Sequence, residues 1–142
     1  MGIKIDTGLK TFDVEFVDRG KTIQIRFNPN DMNLPVRLNE MQDRVNERIE
    51  GIEDFKLNPD GTPELTSFAK QVEELTKVIY EETDRVFGYP ISEDLFQFCS
   101  PLATIGGELF YEQVIKGIGA EIMAENKKEQ KKIEKHIKKY EK

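Results

Sequence analysis

The chain has one cysteine, Cys99, one histidine, His136, and no tryptophan. A single cysteine cannot close an internal disulfide, which points to a reducing, cytosolic setting. A single histidine leaves no second imidazole for a metal site, and no serine or cysteine that the sequence can place beside it as a nucleophile. His136 stands among lysines and reads as a surface residue. Cys99 reads as a small core residue. No apolar run approaches the roughly 18 residues of a membrane span, so no membrane partner is expected. The first residues lack the charged-then-apolar pattern of a signal peptide. No glycine-rich phosphate cradle is present, because Gly106-Gly107 lacks the Lys-Ser/Thr of a P-loop and the spacing of a dinucleotide fingerprint. Asn58-Pro59-Asp60-Gly61 lacks the alternating ligands and closing Glu of a calcium loop. The acidic residues are scattered, and no paired general acid and base stands out. The expectation is a non-enzymatic protein with no catalytic residue, no cofactor and no metal.

Against these absences stands an ordinary globular content. The chain has 142 residues, 37% hydrophobic and 34% charged, enough for one core and too apolar for disorder. The net charge of −6 is uneven. Residues 125–142 hold eight Lys and four Glu, which makes that end +4 and leaves −10 on residues 1–124. A net acidic protein is a poor general ligand for nucleic acid or anionic membrane. The basic end alternates with Glu and carries one aromatic residue, Tyr140, so it falls short of a nucleic-acid-binding arm. It reads either as a solvated helix end or as a surface that pairs with the acidic body of a second copy.

Period-two alternation over residues 3–27 predicts antiparallel strands: Ile3 and Ile5, then Phe12, Val14 and Phe16, then Ile23, Ile25 and Phe27. Asp18-Arg19-Gly20-Lys21 suits the hairpin turn. Asn28-Pro29-Asn30-Asp31 ends the sheet, and Asp31 or Asn33 is placed to cap a helix. Leu34, Leu38, Met41, Val45, Ile49 and Ile52 form its apolar stripe. Thr62-Pro63-Glu64 reads as the start of a second helix, with Leu65, Phe68, Val72, Leu75, Ile79 and Val86 on one face. Gly88 fits its C-terminal stop. Ser92 is placed to cap a short helix, and Cys99-Ser100-Pro101 ends it.

From Gly106 onward the sequence predicts one long helix of two characters. Leu109, Phe110, Val114, Ile115, Ile118, Ile122 and Met123 are apolar enough for core. Beyond Ala124 the helix is mostly Lys and Glu, with Ile133, Ile137 and Tyr140 as a thin stripe at steps of four and three, roughly in line with Ile118 and Ile122. Gly117 and Gly119 fit a close approach of another backbone or a kink. The expected fold is α+β: a small N-terminal antiparallel sheet packed on a mainly helical bundle, with a long C-terminal helix. Residues 1–124 form the domain and residues 125–142 a charged helical extension. Ile118, Ile122, Ile133, Ile137 and Tyr140 are the candidate partner-binding residues.

Several short stretches stand out together: Ile3-Lys4-Ile5-Asp6-Thr7-Gly8 with the following hairpin, and Arg26-Phe27-Asn28-Pro29-Asn30-Asp31. Further along come Val86-Phe87-Gly88, the Phe-containing stretch 95–101, Gly106-Gly107-Glu108 and the Lys/Tyr-rich end. In these stretches the chain resembles the tail assembly chaperones of phages and prophages of Gram-positive hosts. The resemblance spans nearly the whole chain. It implies a protein of the host cytoplasm that binds the tape measure protein and tail tube subunits, and that self-associates. In many phages a frameshift appends a second domain, and Lys131-Lys132 and Lys138-Lys139 are compatible with slippery A-rich codons. The alternatives are a structural virion or head–tail connector component, and a small nucleic-acid-binding regulator.

Overall fold

The structure, a computed structural model, describes residues 1–52 and 56–140, and only the backbone of 139 and 140. The chain is α+β. A hairpin of β1 (Lys10–Phe16) and β2 (Lys21–Phe27) runs in register from Lys10 opposite Phe27 to Phe16 opposite Lys21. Its turn uses Gly20 at φ +61°, a conformation open to glycine at little cost. Phe12, Val14 and Phe16 share a face with Ile23, Ile25 and Phe27, and this face lies on the helices. Phe12 stacks on Phe27 with ring centroids 4.4 Å apart, and Phe27 reaches Phe87 at 5.6 Å.

The strand expected over residues 3–6 does not form. Residues 1–9 lie outside every sheet and are exposed, Ile3 at 89% and Ile5 at 79%. Local hydrogen bonds hold the segment instead. The Asp6 carboxylate accepts from the Gly8 N–H at 2.8 Å, and Asn28 Nδ2 donates to the Thr7 carbonyl at 3.2 Å. Gly8 sits at φ +75° against the Asn28 side chain. Short polar side chains of this kind compete with ladder pairing, and alternation alone does not supply a partner strand.

Helix α1 (Leu34–Glu50) buries Leu34, Leu38, Met41 and Val45 against α2 (Thr66–Phe87), which buries Leu75, Ile79, Thr83 and Val86. The α2 stripe is therefore used inside the domain. Arg44 of α1 reaches Glu82 of α2 at 2.9 Å, and Arg37 donates both to the Val86 carbonyl and to Asp31. Asp31 also accepts from the Asn33 N–H at 3.0 Å. The Arg37 hydrogen bond, then that backbone donor, hold the Asp31 carboxyl below the usual range. A carboxylate with a lowered folded pKa contributes stability that is full above its unfolded value, about 3.9, and is lost as pH falls through the folded value. The acid limb of the stability profile is expected to flatten in Asp31→Asn, as read by thermal unfolding from neutral to acid pH.

The start of α2 differs from the sequence reading. Thr62 closes a turn, with its hydroxyl on Asp60 and on Asn58 Nδ2, and Pro63–Glu64 form β4, paired with β3 (Lys56–Leu57). The helix begins at Thr66, where the Glu64 carboxylate accepts from the Thr66 N–H at 2.8 Å and the Ser67 hydroxyl at 2.7 Å. Glu64 thus takes the capping role expected of Thr62. Gly88 ends α2 at φ +77°, as its position predicts. Ser92 opens α3 (Ser92–Leu95) but does not cap it. Asp84 of α2 does, accepting from the Ile91 and Ser92 N–H groups at 2.9 and 2.8 Å. Asp84→Ala is expected to lower stability by about 1–2 kcal/mol, the usual cost of a lost cap, measurable by chemical denaturation.

Gly106 and Gly107, at φ +59° and +84°, form the two-residue turn between β5 (Thr104–Ile105) and β6 (Glu108–Leu109). Two adjacent positive φ values are what a tight hairpin turn of this kind requires. Helix α4 (Phe110–Tyr140) therefore starts at Phe110 and is 31 residues long, about 46 Å. Tyr111, Ile118 and Ile122 bury its inner face. Tyr111 donates to Asn46 Oδ1 of α1 at 3.1 Å, and its burial, then the nearby Glu112 charge, push its pKa up to about 12.

Candidate interaction surface at the end of the last helix

Burial along α4 stops well before the helix does. Ile118 and Ile122 are 6% and 4% exposed and belong to the core of their own chain. Both are taken up mainly by the packing of their own chain, and Ile118 also borders the groove described below. Met123, expected in the core, is 62% exposed, since it falls on the far side of the helix from Tyr111 and Ile118. Every residue from 130 to 138 is exposed.

The apolar stripe nonetheless continues. At 3.6 residues per turn, Ile133 lies within about 20° of the Ile122 direction and Ile137 within about 60°. Their exposures are 53% and 51%. The Tyr140 backbone returns to the Ile122 line, and its side chain lies outside the described residues. One face of the helix therefore packs on the body for its first four turns, and the residues from 130 to 138 that continue it are exposed.

The helix is tied down where it leaves the body. Lys10 of β1 meets Glu125 at 2.9 Å and Lys128 meets it at 3.3 Å. The helix runs through Ala124 without a break. The hydrogen bond from Lys10, then that from Lys128, hold the Glu125 carboxyl below its usual range. In Lys10→Met the Glu125 pKa is expected to move up, read by carbon-detected carboxyl titration. An unmoved titration would mean that the ion pair does not form in solution. The free end beyond carries Lys131, Lys132, Lys135 and Lys138 against Glu134.

Gly117 and Gly119 lie within continuous helix. A Cβ on either would meet no atom within 4 Å, so the close backbone approach proposed for them does not occur within this chain. Gly117 instead borders a groove of about 310 Å³ between α4 and β1. No signal in the sequence announces this groove, since it arises from the distance between two elements far apart in the chain. Its floor is Phe12, Val14, Ile25 and Ile118, and its rim carries Asp13, Glu15 and Glu121. Among the described residues there is no group of three His, Cys, Asp or Glu placed to hold a metal. Cys99 is half-buried and His136 exposed. No helix among the described residues is long and apolar enough to cross a membrane.

The surface as a whole is large. The accessible area is 10,532 Å², against about 7,500 Å² for a compact monomer of 16.5 kDa.

No family model, curated protein or solved structure matches the chain.

Proposed function

We propose that the chain is a non-enzymatic protein-binding factor whose working surface is the free end of α4. More particularly, it is a tail assembly chaperone of phage or prophage type, which binds the tape measure protein and tail tube subunits in the host cytoplasm and self-associates. One observation carries the class. Ile133 and Ile137 are half-exposed on a helix face that is core further up, and the lysines beside them keep that face in water until it is covered. An amphipathic helix end of this kind gains stability only by packing on another apolar surface. The short stretches that resemble those of tail assembly chaperones support the particular reading. Long apolar helices, as in a tape measure protein, are the matching partner chemistry.

The test is co-expression with a tape measure protein from the genome that encodes this chain. The wild-type chain is expected to keep it soluble and to co-purify with it. A tape measure protein that stays insoluble, or abundant copies of this chain in mature particles, would overturn the chaperone reading, the second in favour of a structural component.

A further inference from the structure

The groove between β1 and α4 runs along a free strand edge. Five consecutive residues of β1, from Phe12 to Phe16, line it, whereas β2 contributes only its inward-facing Ile25 and Phe27. Consecutive residues of one strand can line a cavity together only where that strand's edge borders it, because side chains alternate between faces. Among the described residues the hairpin has two strands and no third, so the outer backbone groups of β1 have no ladder partner there. Phe12 and Val14, on the groove floor, are left partly exposed. An open edge beside an apolar trough is a site for an added strand.

The chain also carries a segment that alternates like a strand and joins no sheet among the described residues. Residues 3–6 alternate Ile3, Lys4, Ile5, Asp6, and both isoleucines stand in solvent. The Thr7–Asn28 hydrogen bond and the seat of Gly8 against Asn28 anchor the segment at the end of β2, where Thr7 and Leu9 border Asn28, Asp31 and Leu34, and none of residues 1–9 lines the groove of its own chain.

We propose that residues 2–7 of one copy pair with the β1 edge of a second copy, reciprocally, so that two chains exchange these segments. Ile3 and Ile5 enter the groove between Val14 and Ile118, where the missing side chain of Gly117 leaves room. Lys4 then points to the outer face, where β1 presents Asp13 and Glu15. The charge match is one-sided: the groove lining holds Asp13, Glu15 and Glu121 and no Lys or Arg. The Asp6 carboxylate is already occupied by the Gly8 N–H. Backbone pairing provides the affinity, and the two isoleucines fix which face turns inward.

The test uses the full chain in sedimentation velocity over a wide concentration range. The wild type is expected to form a dimer. Ile3→Lys/Ile5→Lys, which spoils the segment, and Gly117→Leu, which fills the groove, are each expected to sediment as monomers with unfolding temperatures close to wild type. Mixed together, these two variants are expected to form a complex again, because one supplies an intact groove and the other an intact segment. Ile133→Lys/Ile137→Lys should leave this dimer intact, which separates it from contacts of the α4 end. A wild type that is monomeric throughout, a dimer that survives the Ile3/Ile5 change, or a mixture that stays monomeric would each overturn the exchange. The first would fit a segment folded on its own β1, and the second an interface elsewhere.

Discussion

Ile133→Lys/Ile137→Lys is expected to weaken binding to the proposed partner, the tape measure protein, by more than about 100-fold while leaving the fold intact. Each isoleucine is about half exposed in the free chain, so covering it removes the remaining apolar area from water. At about 25 cal/mol per Å² this is worth roughly 1–2 kcal/mol per side chain. Two such losses, with two ammonium groups placed in an apolar contact, amount to at least two decades in Kd. The unfolded chain exposes these positions as much as the folded one nearly does, so stability should change by no more than about 0.5 kcal/mol. Calorimetric titration with the purified partner, beside a thermal scan of the variant alone, reads both quantities. Equal affinity for variant and wild type would remove the helix end from the binding surface.

The opposite pattern is expected eleven residues upstream. Ile122→Ala removes a side chain 4% exposed in the core and should cost about 2–4 kcal/mol, transfer and cavity terms together. For a chain of this size that is a fall of roughly 10 °C in unfolding temperature. Ile133→Ala, on nearly the same helical line, should cost almost nothing. The pair tests the division of α4 into a half that holds the body together and a half that does not. A comparable loss at Ile133 would mean that the helix end folds back on its own body in solution.

The sequence reading and the structure agree where one pattern decides the outcome. The alternation of Phe12, Val14, Phe16 and of Ile23, Ile25, Phe27 is matched by the hairpin and its inward face. The stripe of Leu34, Leu38, Met41 and Val45 is matched by the buried face of α1. Gly88 needed only its own φ, and residues 106–107 formed a turn where a helix entry was expected. Agreement fails where two physical options share one pattern. Ile3 and Ile5 alternate like a strand, but pairing needs a partner edge that local sequence does not specify. Thr62 has the chemistry of a cap, and Glu64 took that role because Thr62 was engaged by Asp60 and Asn58. Asp84 caps a helix that begins eight residues later, a contact set by tertiary folding. For the candidate surface, the spacing of Ile118, Ile122, Ile133 and Ile137 gave one continuous stripe. Which part of it is covered depends on where the body ends, near Glu129, and period alone carries no information on that.

The most direct measurement is amide hydrogen exchange across α4, on the chain alone and on the chain mixed with the proposed partner, the tape measure protein. Residues 110–124 should be protected in both samples, because their face is core. Residues 125–140 should exchange quickly in the free chain and slow markedly in the mixture, with Ile133 and Ile137 at the centre of the protected stretch. A complex in which residues 125–140 exchange as fast as in the free chain would contradict the assignment of this helix end as the working surface.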